Sequence, residues 1–276
     1  MDKVYKYCGK HGLVILGNRE LLVRPPNQFN DPFEFTPKTI YSDRSLYAKR
    51  ALGLEPIRQW LHKLYLSSNF RGTFVEYQSV SEKILTEAPE YTSPHFEREY
   101  LNEVSKQFGV LCMTKQRDSI LMWGHYCDKL SGLVIGFDKS SAIFQQEMGL
   151  QPVEYVKERV IFDACWENET PEMNSYNRKI IFTKSDAWAY EGEFRQFFQL
   201  SKLEAKPLDD GTAGYFLRFP AEAIATVTLG PRCSPQFERN VLKILLDPAF
   251  CKVKLDRAVL NENNFAIEFE PVELTT

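Results

Sequence analysis

Stretches with the composition of β-strands lie towards both ends of the chain and enclose a long helical region. The strand-like stretches are residues 4–7, 108–113, 133–137, 193–200, 215–219, 224–229, 251–255 and 265–269. Between the first two, apolar side chains recur at helical spacing, as in Ile57, Leu61 and Leu64. This arrangement predicts an α+β fold with a mixed, mostly antiparallel sheet core and a helical insertion at about 42–108. We expect a single domain over residues 1–276.

The composition is that of an ordinary folded protein, with 43% hydrophobic and 26% charged residues. A net charge of −3 argues against a protein that coats nucleic acid through charge alone, but it leaves room for a local basic groove. The six cysteines form no C-x-x-C pair, which predicts reduced thiols and no zinc site. Because the sequence shows neither a signal-peptide pattern nor a membrane-spanning apolar run, we expect a cytoplasmic protein.

A Trp, a His and a Tyr lie within residues 119–126, directly after a strand-like stretch. Asp118 or Ser119 is a suitable N-cap, so we expect a short helix here. Its face formed by Ile120, Trp123 and Cys127 should anchor it to the sheet. Trp123 is therefore more typical of a core residue than of a stacking platform. His125 suits acid–base chemistry, because imidazole titrates near neutral pH, but it equally suits a backbone hydrogen bond.

Glu191 and Glu193 form an E-x-E pattern. If a strand begins by Tyr190, residues two apart face the same side and both carboxylates face one cleft. Such a pair can stabilise a cationic transition state or activate a hydroxyl acceptor. The alternative is a structural ion pair with Arg195 at the strand end.

The segment 29–34 follows two prolines and has the composition of a loop. Asn30 and Asp31 suit contacts to a ligand's hydroxyl or amide groups, yet Asn-Asp-Pro is also ordinary turn chemistry. We expect this loop to meet residues 119–126 and 188–195 in one cleft. No phosphate loop, G-x-G-x-x-G or G-x-S-x-G motif occurs in the sequence, which disfavours P-loop NTPases, Rossmann dehydrogenases and α/β-hydrolases.

Four motifs together carry a resemblance to a known family. They are YKY at 5–7, FNDPFE at 29–34, MWGHY at 122–126 and WAYEGEFR at 188–195. In this order they resemble a bacterial domain-of-unknown-function family, number 2971, over most of the chain. That resemblance implies no activity. More distantly, the chain is similar to ADP-ribosyltransferases of the bacterial toxin and phage-defence type. Those enzymes share an opening strand motif, a strand leading into an aromatic-bearing helix, and a glutamate on a late strand.

The more distant resemblance implies roles for individual residues. Glu193 would be the catalytic glutamate, bonding the nicotinamide ribose 2′-hydroxyl and stabilising the oxocarbenium ion. Glu191 would position or deprotonate the acceptor, Tyr126 would stack on the nicotinamide, and His125 would assist. The residues implied to contact NAD are Tyr5, Lys6, Tyr7, Asn30, Asp31 and Trp123. Lys6 or His11 would stand in for the first-strand Arg or His, and the usual Ser-Thr-Ser motif is absent.

The resemblance thus implies an NAD-dependent transferase, a toxin or phage-defence effector that modifies a nucleic acid or protein. NAD would be its substrate, no metal is expected, and an antitoxin or immunity protein is the implied partner. Two other functions stay open from the residues themselves. One is a non-catalytic nucleotide or nucleic-acid binding module that stacks bases on Trp123, Tyr126 or Trp188. The other is a magnesium-dependent nuclease with Asp31, Glu34, Glu191 and Glu193 as its carboxylates.

Overall fold

The computed structural model describes residues 2–91, 93–146, 148–167 and 170–273. The strands are β1 (Lys3–Cys8), β2 (Glu20–Val23), β3 (Lys38–Ile40), β4 (Phe108–Thr114), β5 (Leu133–Asp138), β6 (Gln151–Pro152), β7 (Glu154–Val156), β8 (Ile161–Asp163), β9 (Thr183–Ser185), β10 (Glu193–Gln199), β11 (Glu204–Pro207), β12 (Ala213–Arg218), β13 (Ile224–Leu229), β14 (Lys254–Leu260) and β15 (Ile267–Pro271). The α-helices are α1 (Gly12–Asn18), α2 (Arg44–Gly53), α3 (Glu55–Ser67), α4 (Phe74–Glu87), α5 (Ser93–Gln107), α6 (Ile120–Tyr126), α7 (Pro171–Phe182) and α8 (Pro235–Leu245). Within the described ranges, no helix is long and apolar enough to cross a membrane.

The chain divides into two compact units, which are described separately. The first comprises Met1–Asn30, Ser105–Lys157 and Lys184–Thr276, and the second comprises Asp31–Val104 and Glu158–Thr183. The α+β fold class expected from the sequence is confirmed, whereas its organisation as a single domain stays a prediction.

A large sheet forms the centre of the first unit. Its strand order is β15-β14-β13-β5-β1-β4-β10-β6. The β13–β14 pair is parallel and the other neighbouring pairs are antiparallel, which confirms the mostly antiparallel sheet. β5 lies near the middle because its sequence, LVIGFD, is apolar on both faces and buried over almost its whole length.

The two faces of this sheet serve different purposes. On one face, Leu111 of β4 and Phe194 of β10 belong to the main apolar core, which also includes Val241 of α8. Because neighbouring residues of a strand face opposite sides, Cys112 and Arg195, which are paired across β4 and β10, face the other side. A second apolar cluster on that side packs α6 against β1 and β5. Its buried members are Tyr7, Met122, Trp123, Cys127, Val134, Ala258 and Ile267.

The contact between β1 and β4 is short. Tyr5 is paired with Thr114, and at the other end of β4 Val110 instead forms a bridge with Arg24. Between these points, Nζ of Lys6 donates a hydrogen bond to the Cys112 carbonyl at 2.9 Å. The Lys6 side chain therefore links the two strands where the backbone ladder stops.

The second unit contains most of the predicted helical insertion. Asp43 caps α2 through the backbone N–H of Leu46, and Thr73 forms a capping box with Glu76 at the start of α4. α2 and α4 pack together around the buried side chains of Tyr47, Ala48, Ala51 and Leu85. The helical character predicted for about 42–108 is confirmed.

Candidate functional site

Helix α6 begins where the sequence predicted and buries its tryptophan. The Ser119 hydroxyl accepts a hydrogen bond from the Met122 backbone N–H, as an N-cap does. Trp123 is 0% exposed, its indole N–H donates to the Arg117 carbonyl at 2.9 Å, and its ring meets Tyr7 edge-on at 5.5 Å. Trp123 and the buried Tyr7 are thus packing residues in this structure, and neither ring offers an open stacking surface.

The predicted anchoring face of α6 needs one correction. Cys127 is buried as expected, but Ile120 is 40% exposed and does not anchor the helix. The entry to α6 is held instead by Arg117, which pairs with Asp256 and donates from Nε to the Thr228 hydroxyl at 3.1 Å. Its guanidinium also lies 3.8 Å from the centroid of the Phe269 ring. The Arg117 contacts therefore fix the start of α6 against β13, β14 and β15.

Tyr126, at the C-terminal end of α6, reaches the E-x-E motif. Its hydroxyl donates to Oε1 of Glu191 at 2.5 Å. Burial raises the pKa of Tyr126, and the hydrogen bond to Glu191 raises it further. The phenol therefore stays protonated and remains a donor at physiological pH.

The condition that would place both carboxylates on one strand face, a strand that begins by Tyr190, is not met. Residues Asp186–Glu191 form a 3₁₀ helix, and β10 begins only at Glu193. Between them Gly192 adopts a left-handed conformation with φ of 51°, which reverses the chain into the strand at little steric cost. The two carboxylates thus do not share a strand face, and a different contact brings them together.

That contact is made by Lys184 of β9, whose ammonium lies between the two carboxylates. Nζ of Lys184 donates to Oε2 of Glu191 at 2.6 Å and to Oε2 of Glu193 at 3.0 Å. Arg195 donates from Nε to Oε1 of Glu193 at 2.8 Å and from Nη2 to Oε2 at 3.1 Å. All four residues are buried, and their two positive and two negative charges balance. We call these residues the ion network.

The ion network determines the charge state of Glu193. Burial alone would raise the pKa of Glu193, but the Arg195 guanidinium, the Lys184 ammonium and a hydrogen bond from the Cys112 thiol outweigh it and lower the pKa to about 2. Burial and the neighbouring Glu193 raise the pKa of Cys112, so its thiol stays protonated. The Glu193 backbone N–H donates to the Tyr155 hydroxyl at 2.7 Å. Glu193 is therefore an anchored, permanently ionised carboxylate near neutral pH.

Aromatic rings border the ion network. The ring centroids of Trp188 and Tyr190 are 6.0 Å apart, and those of Tyr190 and the exposed His125 are 6.3 Å apart. The Lys184 ammonium lies 5.0 Å from the centroid of the Trp188 ring. His125 thus lies beside the site, in contact with the 3₁₀ helix that precedes β10.

Two of the β1 residues implied to contact NAD, Tyr5 and Lys6, differ in how they contact β4. Tyr5 is half-buried and paired with Thr114, whereas Lys6 bonds the Cys112 carbonyl. Burial lowers the pKa of His11; the Asp128 carboxylate opposes this shift, and the nearby charges of Lys6 and Arg24 add to it. Lys6 and Arg24 therefore both lie near His11, close to the point where β1 and β4 part.

The candidate residues of the loop 29–34 are divided between the two units, because the division of the chain falls between Asn30 and Asp31. In the first unit, the Phe29 ring lies 5.9 Å from the Arg195 guanidinium, and Asn30 is exposed. In the second unit, the buried Asp31 accepts a hydrogen bond from the Phe33 backbone N–H at 2.9 Å, which is the turn chemistry weighed above. Of the three predicted segments, 122–126 and 188–195 therefore meet, and Phe29 of the first unit also contacts Arg195.

Sequence reasoning missed the residue at the centre of this site. Lys184 lies in an unremarkable stretch, FTKSD, and no motif or spacing marks it. It is found only because the short pairing of β7 with β9 brings its side chain to the E-x-E carboxylates. Tyr155 of β7 was missed for the same reason.

The segment that carries these contacts also carries the family relationship. Residues 122–196 match the family described as protein of unknown function (DUF2971). The DUF2971 match begins in α6 and ends in β10, so it includes Tyr126, Lys184, Glu191, Glu193 and Arg195. The expected resemblance to this family is confirmed over that segment. Comparison with curated proteins gave no match, and neither did comparison with solved structures.

Proposed function

We propose that this protein is an NAD-dependent enzyme of the ADP-ribosyltransferase type, with Glu193 as its catalytic carboxylate. The observation that carries this proposal is the adjacency of three elements that are far apart in the sequence. The opening strand β1, the strand β4 that leads into α6, and the late strand β10 are consecutive in the sheet. They bring Tyr126 into contact with Glu191, next to Glu193.

The chemistry of the transfer suits an ionised carboxylate. The bond between nicotinamide and C1′ of the ribose breaks, its electron pair leaves with nicotinamide, and the ribose becomes an oxocarbenium ion. A buried anion beside C1′ stabilises that positive charge, because a low-dielectric site strengthens the attraction. With a pKa of about 2, Glu193 supplies this charge at any physiological pH but is too weak a base to remove a proton.

A second group is then needed for the acceptor. The acceptor's nucleophile forms the new bond to C1′ and must lose a proton as it does so. Glu191 takes this proton or aligns the acceptor in our proposal, since its carboxylate lies on the other side of Lys184 from Glu193. Tyr126 holds Glu191 in position through its hydroxyl.

The basic residues near the parting of β1 and β4 suit the other half of NAD. A pyrophosphate is doubly charged and favours a site with several donors of positive charge. Lys6 and Arg24 supply positive charge near His11, and the imidazole of His11, whose pKa is lowered, can donate a hydrogen bond. From the sequence resemblance we propose a cytoplasmic bacterial toxin or phage-defence effector, with a nucleic acid or protein as acceptor and an antitoxin or immunity protein as partner.

A second candidate is a non-catalytic nucleotide-binding module. The observation that favours it is the closed state of the ion network, in which Lys184 and Arg195 already occupy the carboxylates. The same observation disfavours a magnesium nuclease centred on Glu191 and Glu193, because an ammonium lies where the metal would have to bind both groups.

Incubation with NAD labelled in the adenylate half, with release of nicotinamide and transfer of label both measured, separates these functions. Glu193→Gln should lower both signals about 100-fold or more. Glu20→Gln is the matched control, because Glu20 is equally buried and ion-paired, with Lys206 at 2.6 Å, but belongs to the separate β11-β12-β2 sheet. Equal signals from the native protein and Glu193→Gln would refute the enzyme proposal. NAD binding without turnover would support the binding module.

A further inference from the structure

Glu193 is poorly placed to meet a ribose in the arrangement described above. Its side chain is 5% exposed, and its two oxygens accept three hydrogen bonds from Arg195 and Lys184. A carboxylate offers roughly four acceptor positions, and the Cys112 thiol also bonds this group. A ligand hydroxyl therefore needs one of these donors to leave.

Lys184 is the donor that can leave most easily. Arg195 is fully buried, belongs to the same strand as Glu193, and holds it through two nitrogen atoms. Lys184 belongs to the three-residue strand β9 and meets Glu193 through a single ammonium on a flexible four-carbon chain. The Lys184 ammonium is therefore easier to withdraw from Glu193 than the planar Arg195 guanidinium, which binds through two nitrogen atoms.

The groups around the Lys184 ammonium form a site for an organic cation. Two carboxylates lie within 3.0 Å of Nζ, and the Trp188 ring faces it at 5.0 Å. Carboxylates together with an aromatic face recognise ammonium and pyridinium groups by charge and by cation–π attraction. The nicotinamide ring of NAD is a pyridinium cation, and the oxocarbenium ion carries the same charge.

We propose that Lys184 is an internal competitor for this cation site, so that the structure is a resting state in which the lysine blocks Glu191 and Glu193. The identity of the natural cation as the nicotinamide ribose of NAD rests on the proposed function, but the presence of a blocked cation site does not. A ligand binds only the fraction of molecules in which Lys184 has withdrawn. The apparent affinity is lowered by that fraction.

Removal of the lysine side chain should therefore increase affinity for a cation and not for its neutral counterpart. The probes are 1-methylnicotinamide, which is a pyridinium cation, and nicotinamide, which is neutral and of similar shape. By calorimetry, Lys184→Ala should bind 1-methylnicotinamide at least about tenfold more tightly than the native protein does. Nicotinamide should show no such gain. Lys184→Arg is the control, because it keeps a positive charge in the site and should not gain affinity.

A charge-balanced variant protects this test against misfolding. Lys184→Ala alone leaves an uncompensated buried carboxylate, whereas Lys184→Ala with Glu191→Gln leaves one positive and one negative charge, on Arg195 and Glu193. The double variant should fold, as circular dichroism can verify, and should still bind the cation more tightly than the native protein does. The gain should be smaller than for Lys184→Ala, because one of the two carboxylates is now a neutral amide. The absence of a gain for the cation in both variants, including undetectable binding, would overturn the proposal.

The outcomes also separate this inference from the proposed enzyme activity. If the cation gain is found but neither the native protein nor Lys184→Ala releases nicotinamide from saturating NAD, the blocked cation site is supported and the transferase proposal fails. If native protein turns over NAD but Lys184→Ala gains no affinity for the cation, the enzyme stands and the competitor role fails.

Discussion

The Tyr126 hydroxyl donates a hydrogen bond to Oε1 of Glu191 at 2.5 Å, although 65 positions separate the two residues in the chain. This contact joins the C-terminal end of α6 to the 3₁₀ helix before β10. Both carboxylate oxygens of Glu191 are thereby bonded, one by Tyr126 and the other by Lys184. The aromatic helix and the E-x-E motif, which we expected from the sequence to meet in one cleft, are in direct contact.

Tyr126→Phe removes this hydrogen bond and keeps the ring. We expect the free energy of unfolding to fall by about 1.5–3 kcal/mol, because the lost partner is a buried charged acceptor. Urea denaturation measures the change. Tyr190→Phe is the control, since the half-exposed Tyr190 lies beside the same site, and it should change stability by about 0.5 kcal/mol or less. Equal effects of the two substitutions would contradict a special role for the Tyr126 hydroxyl.

Trp123→Ala should destabilise the fold far more than Trp188→Ala. Trp123 is fully buried against Tyr7, so its loss leaves a cavity that costs about 3–5 kcal/mol. Trp188 is half-exposed, and its ring faces the Lys184 ammonium. Thermal unfolding followed by circular dichroism compares the two variants. A similar fall in melting temperature for both would show that Trp123 is not the anchor of α6.

Glu193→Gln should make the free energy of unfolding depend less on pH in the acid range. The folded-state pKa of Glu193, about 2, lies below its ordinary value of 4.5. The native protein therefore has the full contribution above about pH 4.5 and loses it as the pH falls towards 2. At about 1.4 kcal/mol per pKa unit the contribution is on the order of 3 kcal/mol.

The measurement is urea unfolding of native protein and Glu193→Gln at a series of pH values from about 7 down to about 3. The difference in stability between the two proteins should shrink as the pH falls through this window. A difference that stays constant over the whole range would mean that Glu193 is not held ionised by Arg195 and Lys184.

Lys184→Met and Glu191→Gln should be strongly coupled. Either change alone breaks a buried ion network and leaves an unbalanced charge, at a cost of about 3–5 kcal/mol. The double variant restores the balance, so its destabilisation should be smaller than the sum of the single effects by about 1–3 kcal/mol. A double-mutant cycle from urea denaturation measures this coupling. Additive effects would show that the two side chains act independently.

Local interactions explain what could be predicted from the sequence. The cap at Asp118 or Ser119 and the helices between about 42 and 108 depend on neighbouring residues along the chain. The buried Trp123 also followed from its place on a helix next to apolar strands. The exposed Ile120 did not, because the side of a short helix that packs is set by the elements around it.

The start of β10 illustrates the limit of local reasoning. The two carboxylates would share a strand face if a strand began by Tyr190, but Gly192 in a left-handed conformation ends a 3₁₀ helix there. Glycine tolerates that conformation without requiring it, and the contacts around the turn select it.

The sequence by itself determined the α+β fold class, the helical region and the resemblance of residues 122–196 to a family of unknown function, because these depend on composition, periodicity and short motifs. Only the tertiary structure decided that Lys184 lies between Glu191 and Glu193, and that Tyr126 completes the group. The physical reason is that the charge state of a buried carboxylate depends on partners within a few ångströms. Strand pairing, not proximity along the chain, brings those partners together.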